Sequence, residues 1–278
     1  MPHNIYIDCG GGFRQEAAVR MAFGEPGVKI AALASVFGET SAGRGYRELK
    51  ELAAALDPKI RVGMGAKGPL MRQPDCLKLS FEGAYTAGDS KTSGEEPVFE
   101  ETGDGYAWDI LYEEALKCGG DLTVITLGAL TNLAVALFKY EDLPRHLSRI
   151  VMLGGSAGAG DVLPFGEANV VRDPHACAAV LASGIPVTMV GLEVTEPLGS
   201  DKDAAAVAAA LVPGAAVSQR RTVEVETVPG KMYGRTIVDQ RVHLEPSGCV
   251  EVVERLDREA CLGRWERAQK SGKGETER

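Results

Sequence analysis

No pair of cysteines, no basic run and no long apolar stretch stands out in this 278-residue sequence. The six cysteines (Cys9, Cys76, Cys118, Cys177, Cys249 and Cys261) have neither C-x-x-C nor metal-finger spacing, so reduced, packed thiols are expected rather than disulfides or a zinc site. Lys and Arg number 30 against 39 Asp and Glu, a net charge of −9, and the cations are not clustered. A nucleic-acid partner is therefore not expected, because neutralising phosphates takes grouped Lys and Arg. No stretch reaches the ~18 apolar residues of a membrane span, which argues against a membrane partner. The opening MPHNIYIDCGGG has no basic region or long apolar run, so no secretion signal is expected and a cytoplasmic location is.

What is present is an ordinary globular composition, 45% hydrophobic with a mean hydropathy near zero. Length alone allows one or two domains. Short apolar runs alternate with longer amphipathic segments, the pattern of βα units around a mostly parallel sheet. Strands are expected at 4–8, 28–35, 60–64, 122–127, 150–153 and 186–190. Helices with apolar residues at three- and four-residue intervals are expected at 15–23, 45–56, 107–118, 130–140 and 174–182. The fold class is thus α/β, a mostly parallel central sheet with helices on both faces. A small strand and helix extension follows: an alanine-rich helix over 201–211, strands over 222–228 and 248–253, and a final helix over 257–269. The segment 78–105 reads as a long surface excursion, and 271–278 as a frayed tail.

Ligands of open α/β sheets bind at the carboxyl ends of the strands, so the glycine-bearing loops there hold the candidates. Asp8-Cys-Gly-Gly-Gly-Phe-Arg14 joins the first strand to the first helix. It reads as a tight turn with Asp8 bonded to backbone, as a contact to a metal or sugar hydroxyl, or as an anion nest with Arg14 adding charge. In Leu127-Gly-Ala-Leu-Thr-Asn-Leu-Ala134, Thr131 and Asn132 read as helix-capping groups. The long loop Gly154-Gly-Ser-Ala-Gly-Ala-Gly-Asp-Val-Leu-Pro-Phe-Gly-Glu-Ala-Asn169 brings Asp161, Glu167 and Asn169 together. Acid and amide side chains supply the acceptors and donors that a ribose, with its several hydroxyls, requires. Asp173-Pro174 reads as a helix start, Asp capping and Pro in the first turn.

These segments, with Arg-Asp-Pro-His-Ala (172–176), the stretch 183–195 and Gly-Arg-Thr-Ile-Val-Asp (234–239), resemble the inosine-uridine nucleoside hydrolase family. The resemblance is collinear from about Asn4 to Thr195 and resumes near Lys202, so one domain over 1–270 is expected. It implies hydrolysis of the N-glycosidic bond of ribonucleosides. It also implies a calcium ion held by aspartates in the pattern D-x-D-x-G-x-D-D on the first strand, and, as is usual in the family, a homo-oligomer.

Here that pattern reads Asp8, Gly10, Gly12, Arg14, Gln15. The first aspartate is kept, Gly10 stands at the family's general base, and Arg14 and Gln15 replace the later acids. The exchange raises local charge by about four units, and a cation beside a divalent ion costs kilocalories even at an effective dielectric of about 20. No metal is therefore expected. Leu127 matches a position whose backbone carbonyl serves the ion. Where the family has a histidine-aspartate pair opening a late helix, this chain has Lys202-Asp203, about one helical hairpin earlier than usual. None of the four histidines (His3, His146, His175, His243) falls there. The family's asparagine after the second strand is replaced near Val36 or Phe37. By the same resemblance Glu167 and Asn169 hold ribose hydroxyls, and Asp161 stands where an asparagine is usual.

The expected function follows from this mismatch. A retained sugar-facing loop beside a dismantled acid cluster points to binding of a small ribosyl or ribose-phosphate ligand, with Asp161, Glu167, Asn169 and Arg14 as contacts, and without the classical reaction. The alternative is an active N-glycosidase with a rearranged site in which Asp8 and Asp203 act as catalytic acids together with Glu167.

Overall fold

The computed structural model describes residues 3–11, 13–71, 103–241, 245–246, 248 and 250–273. Most of the expected excursion at 78–105, and the end of the tail, lie outside the described residues.

The strands are β1 (His3–Cys9), β2 (Val28–Ser35), β3 (Arg61–Gly63), β4 (Leu122–Thr126), β5 (Leu147–Leu153), β6 (Val187–Val190), β7 (Ala216–Arg221), β8 (Val223–Val225), β9 (Thr236–Val238) and β10 (Val250–Leu256). Eight of them form one sheet in the order β3-β2-β1-β4-β5-β6-β10-β7, and β8 and β9 pair separately. Pairing in the large sheet is parallel except between β10 and β7. The α/β class with a mostly parallel sheet is as expected. Strand β7 was not anticipated, because Ala-Val-Ser-Gln-Arg-Arg carries its polar residues on an exposed edge and lacks an apolar run.

The helices are α1 (Phe13–Phe23), α2 (Ala42–Leu56), α3 (Ala107–Cys118), α4 (Thr131–Lys139), α5 (Ala168–Arg172), α6 (Pro174–Leu181), α7 (Leu192–Thr195), α8 (Asp203–Leu211) and α9 (Arg258–Lys273). Both sheet faces are covered, which is why the central strands are near-continuous apolar runs. In β1, Ile5, Ile7 and Cys9 face a core shared with α1, α2, α8 and α9. Tyr6 faces the opposite core, built with α3, α4 and α6. Helix α8, Asp-Ala-Ala-Ala-Val-Ala-Ala-Ala-Leu, is buried at Asp203 to Ala208 and at Ala210. Alanine has high helix propensity, and its small side chain lets this helix lie close to the sheet and to α1.

Strand order reverses between β1 and β4, which puts a topological switch point at their carboxyl ends. The register aligns Asp8 with Ala34 on one side and Thr126 on the other, Thr126 with Met152, and Met152 with Met189. The residues that follow in each strand therefore meet in one mouth.

Candidate functional site at the strand ends

Three glycines shape one half of the mouth. A Cβ on Gly38 would lie 2.6 Å from the Gly10 carbonyl oxygen, and one on Gly128 would lie 2.8 Å from the Gly10 Cα and nitrogen. Side chains are thus excluded where β1, β2 and β4 end, and backbone meets backbone. Beside them Val36, Phe37 and Ala129 form a small apolar cluster, so the tip of β2 offers no polar group from those positions.

Asp8 is buried, and its Oδ1 accepts a 2.9 Å hydrogen bond from Asn132 Nδ2. Burial raises its carboxyl to about 7, against the lowering effect of the Asn132 bond. Asn132 also donates to the Ser35 carbonyl at 2.9 Å, and its Oδ1 accepts from the Ala66 N–H at 2.8 Å. One amide thereby ties together β1, β2 and the segment after β3. The capping expectation for Thr131 and Asn132 is corrected here. Helix α4 begins after Leu130 with no side-chain cap bond, and the Thr131 hydroxyl donates instead to Asp173 Oδ2 at 2.8 Å. Both side chains turn to distant partners, and the Asn132 oxygen that a cap would use accepts from the Ala66 N–H instead of a local one. The Asp173 cap is as expected: its Oδ1 accepts from the Ala176 N–H, with Pro174 in the first turn of α6.

Gln15, noted in the sequence only as a lost acid, is a central piece. It is buried, its Nε2 donates to the Leu127 carbonyl at 3.0 Å, and its Oε1 accepts from the Gly11 N–H at 3.0 Å. Gly11 has φ of +87° and a missing Cβ that would strike the Thr40 hydroxyl, so only glycine fits there. Because its N–H is already engaged by Gln15, it is not open to an anion. Arg14 lies in the first turn of α1, and its side chain, like Gly12, is outside the described residues.

The other half of the mouth is built on the loop after β5. Glu167 is buried, and its Oε2 accepts from the N–H groups of Gly155 (3.1 Å), Asn169 (3.0 Å) and Val170 (3.1 Å). It caps α5 and fastens the loop start. Burial chiefly raises its carboxyl; Asp161 adds to the rise, and Lys202 opposes it. Asp161 is exposed and accepts from the Ala168 N–H through Oδ1. Asn169 Nδ2 donates to the carbonyls of Leu153 (3.0 Å) and Leu127 (3.3 Å), and its Oδ1 accepts from Arg172 at 2.8 Å. Two supports escaped the sequence reading. Thr236 on β9 accepts from the Ser156 N–H at 2.8 Å, and Glu193 Oε1 accepts from Ser156 Oγ and the Ala157 N–H. Only the Gly234–Asp239 motif hinted at the first.

Asp203 opens α8 and is buried. Burial first, then the charges of Asp8 and Asp203, pushes the Cys9 thiol up. The fold thus brings Asp8, Glu167 and Asn169 to the ends of β1, β4 and β5, with Asp161 bonded to the Ala168 N–H beside them and Asp203 at the start of α8.

A calcium ion takes six to eight oxygen ligands, with carboxylates supplying the charge. Here the Leu127 carbonyl receives two amide N–H groups, Gly10 brings no side chain, and Asp8 is engaged by Asn132. Among the described residues no three His, Cys, Asp or Glu side chains group to hold a metal ion. The donor set does not fit calcium.

Comparison with known proteins gives three kinds of match. The family model described as "Inosine-uridine preferring nucleoside hydrolase" matches residues 5–202. A "Probable uridine nucleosidase 2" from Oryza sativa subsp. japonica is 32% identical over 202 residues, 72% of this chain and 59% of that protein. A "Non-specific ribonucleoside hydrolase RihC" from Shigella dysenteriae serotype 1 is 30% identical over 193 residues, 69% of this chain and 62% of that protein. The chain therefore spans about 60% of the length of the curated relatives it matches. Among solved structures, an "Inosine-Guanosine Nucleoside Hydrolase (IG-NH)" superposes with a TM-score of 0.79 at 22% identity, covering 96% of this chain and 98% of that one. A "Purine-Preferring Ribonucleoside Hydrolase from Gardnerella vaginalis" gives 0.75 at 22% identity, covering 95% and 97%. At that identity the likeness is one of fold.

Proposed function

We propose, from the premise that the chain belongs to the inosine-uridine preferring nucleoside hydrolase family, that it binds a ribosyl ligand at this mouth without the family's metal-assisted hydrolysis. The carrying observation is the contrast between Asp161 and Glu167 and the rest of the site. Each bonds the loop through one carboxylate oxygen, Oδ1 and Oε2, which keeps the second oxygen of each for a sugar hydroxyl. The Asn169 amide, with both ends engaged, positions the loop and the tip of β4 rather than reaching outward. The reading expects a cytoplasmic homo-oligomer binding a small ribosyl ligand, with no nucleic-acid or membrane partner. Among the described residues no helix is long and apolar enough to cross a membrane.

Calorimetric titration with ribose, ribose 5-phosphate, inosine and uridine tests it, alongside chromatographic detection of released base with and without chelator. Saturable binding is expected, weakened about tenfold by Asp161→Ala, the equivalent of one lost hydrogen bond of about 1.4 kcal/mol. Robust base release that a chelator abolishes would overturn the reading.

One observation favours a second reading, an active N-glycosidase. A buried carboxyl raised to about 7 suits a general acid at neutral pH, and Asp8 is such a group. In that case Asp8, Asp203 and Glu167 share the proton transfers. Asp8→Ala and Asp203→Ala should then each lower any base release by about 100-fold, and unchanged rates would remove this reading.

A further inference from the structure

We infer that the side-chain amide of Gln15 stands in for a cation at the strand ends, so that this mouth is held together by internal hydrogen bonds and is independent of divalent metal. A cation at the end of β4 would draw on the Leu127 carbonyl, whose two lone pairs are instead met by Gln15 Nε2 at 3.0 Å and Asn169 Nδ2 at 3.3 Å. The orientation of Gln15 is forced by its partners. Gly11 presents an N–H and needs an acceptor, while Leu127 presents a carbonyl and needs a donor, so the flipped amide would face donor with donor and acceptor with acceptor.

Gln15 links the first turn of α1 to the tip of β4, 112 residues away. It does so as a neutral group, which avoids the cost of burying charge that a carboxylate there would carry without its ion. To admit a metal the side chain would have to swing out, leaving the buried Gly11 N–H without its acceptor and the Leu127 carbonyl with Asn169 as its one side-chain donor. One oxygen of each nearby carboxylate is already engaged, Asp8 Oδ1 by Asn132 and Glu167 Oε2 by three backbone N–H groups, so a metal would have only their second oxygens. Gly10 has no side chain to offer, its carbonyl accepts from the Glu39 N–H at 3.0 Å, and its close approach to Gly38 and Gly128 fills the space with backbone. The inference concerns the metal alone and holds whether or not the mouth takes a sugar.

Thermal unfolding of the full chain in chelator and in about 5 mM Ca²⁺, Mg²⁺ or Mn²⁺, above the dissociation range of even weak calcium modules, tests it together with Tb³⁺ luminescence. The wild type should shift by less than about 1 °C, since a ligand that does not bind the native state cannot stabilise it. It should also give no saturable Tb³⁺ signal. Gln15→Ala should lose about 3–8 °C without gaining any response to cations. Gln15→Glu, which sets a carboxylate against the Leu127 carbonyl, should unfold earliest in chelator and recover with Ca²⁺. Saturable Tb³⁺ binding by the wild type that Asp8→Asn removes would overturn the inference. So would a Gln15→Ala protein as stable as wild type, or a Gln15→Glu protein indifferent to Ca²⁺. The wild-type titration decides the metal question even if a variant fails to fold.

Discussion

The two halves of the mouth solve one problem with different chemistry. Around β1, β2 and β4 the strand ends are joined by the neutral amides of Gln15 and Asn132, with three glycines in close contact and Asp8 as the buried acid. Around β5 and β6 they are joined by carboxylates, Glu167 and Glu193, each accepting backbone N–H groups. An amide pairs a carbonyl with an N–H at no cost in charge. A carboxylate must gather several donors, and Glu167 gathers three. Asp8, with Asn132 as its side-chain donor, is held uncharged until about neutral pH. The first half is closed by neutral amides and backbone contact, and the second by carboxylates that gather backbone N–H groups.

The largest expected way to test that contrast is through pH. Asp8 ionises near 3.8 when unfolded and near 7 in the fold. Between those values the folded chain holds a proton the unfolded chain has shed, so stability falls as pH rises, by about 1.4 kcal/mol per unit and ~4 kcal/mol over the window. The contribution is complete below pH 4 and gone above 7. Asp8→Asn, which keeps an acceptor for Asn132, should flatten this slope in urea titrations and leave the protein more stable than wild type at pH 8. An unchanged slope would mean that the two halves do not differ in this way. Next in size, Glu167→Ala should cost about 3 kcal/mol by leaving three buried N–H groups without their acceptor, while Glu167→Gln should cost less. Gly128→Ala should cost about 2 kcal/mol, because its new Cβ meets Gly10 backbone at 2.8 Å and must push two strand ends apart. The smallest effect is at Asp161. Asp161→Asn keeps the bond to Ala168 and should change stability by under about 0.5 kcal/mol.

The elements were legible where periodicity is strong. Strand β2 and helix α3 have the expected bounds, and the two-sided apolar runs of β1, β4 and β5 announced a covered parallel sheet. The Asp173-Pro174 helix start was readable because a cap acts on residues adjacent in sequence. Thr131 and Asn132 misled for the converse reason. Their side chains bond to groups 42 and 124 residues away, and nothing local marks that choice. Gln15 showed only as a departure from an aspartate pattern, since its partner at Leu127 is a backbone atom without a sequence signature.

By itself, then, the sequence determined the α/β class, the helices on both faces, and the loop that carries Asp161, Glu167 and Asn169. These follow from spacing and residue type, which act locally. Tertiary structure alone decided which polar groups answer one another: Gln15 with Leu127, Asn132 with Asp8 and Ser35, Thr236 with Ser156. A parallel sheet brings distant strand ends together, and buried donors and acceptors must pair with whatever lies within about 3 Å there.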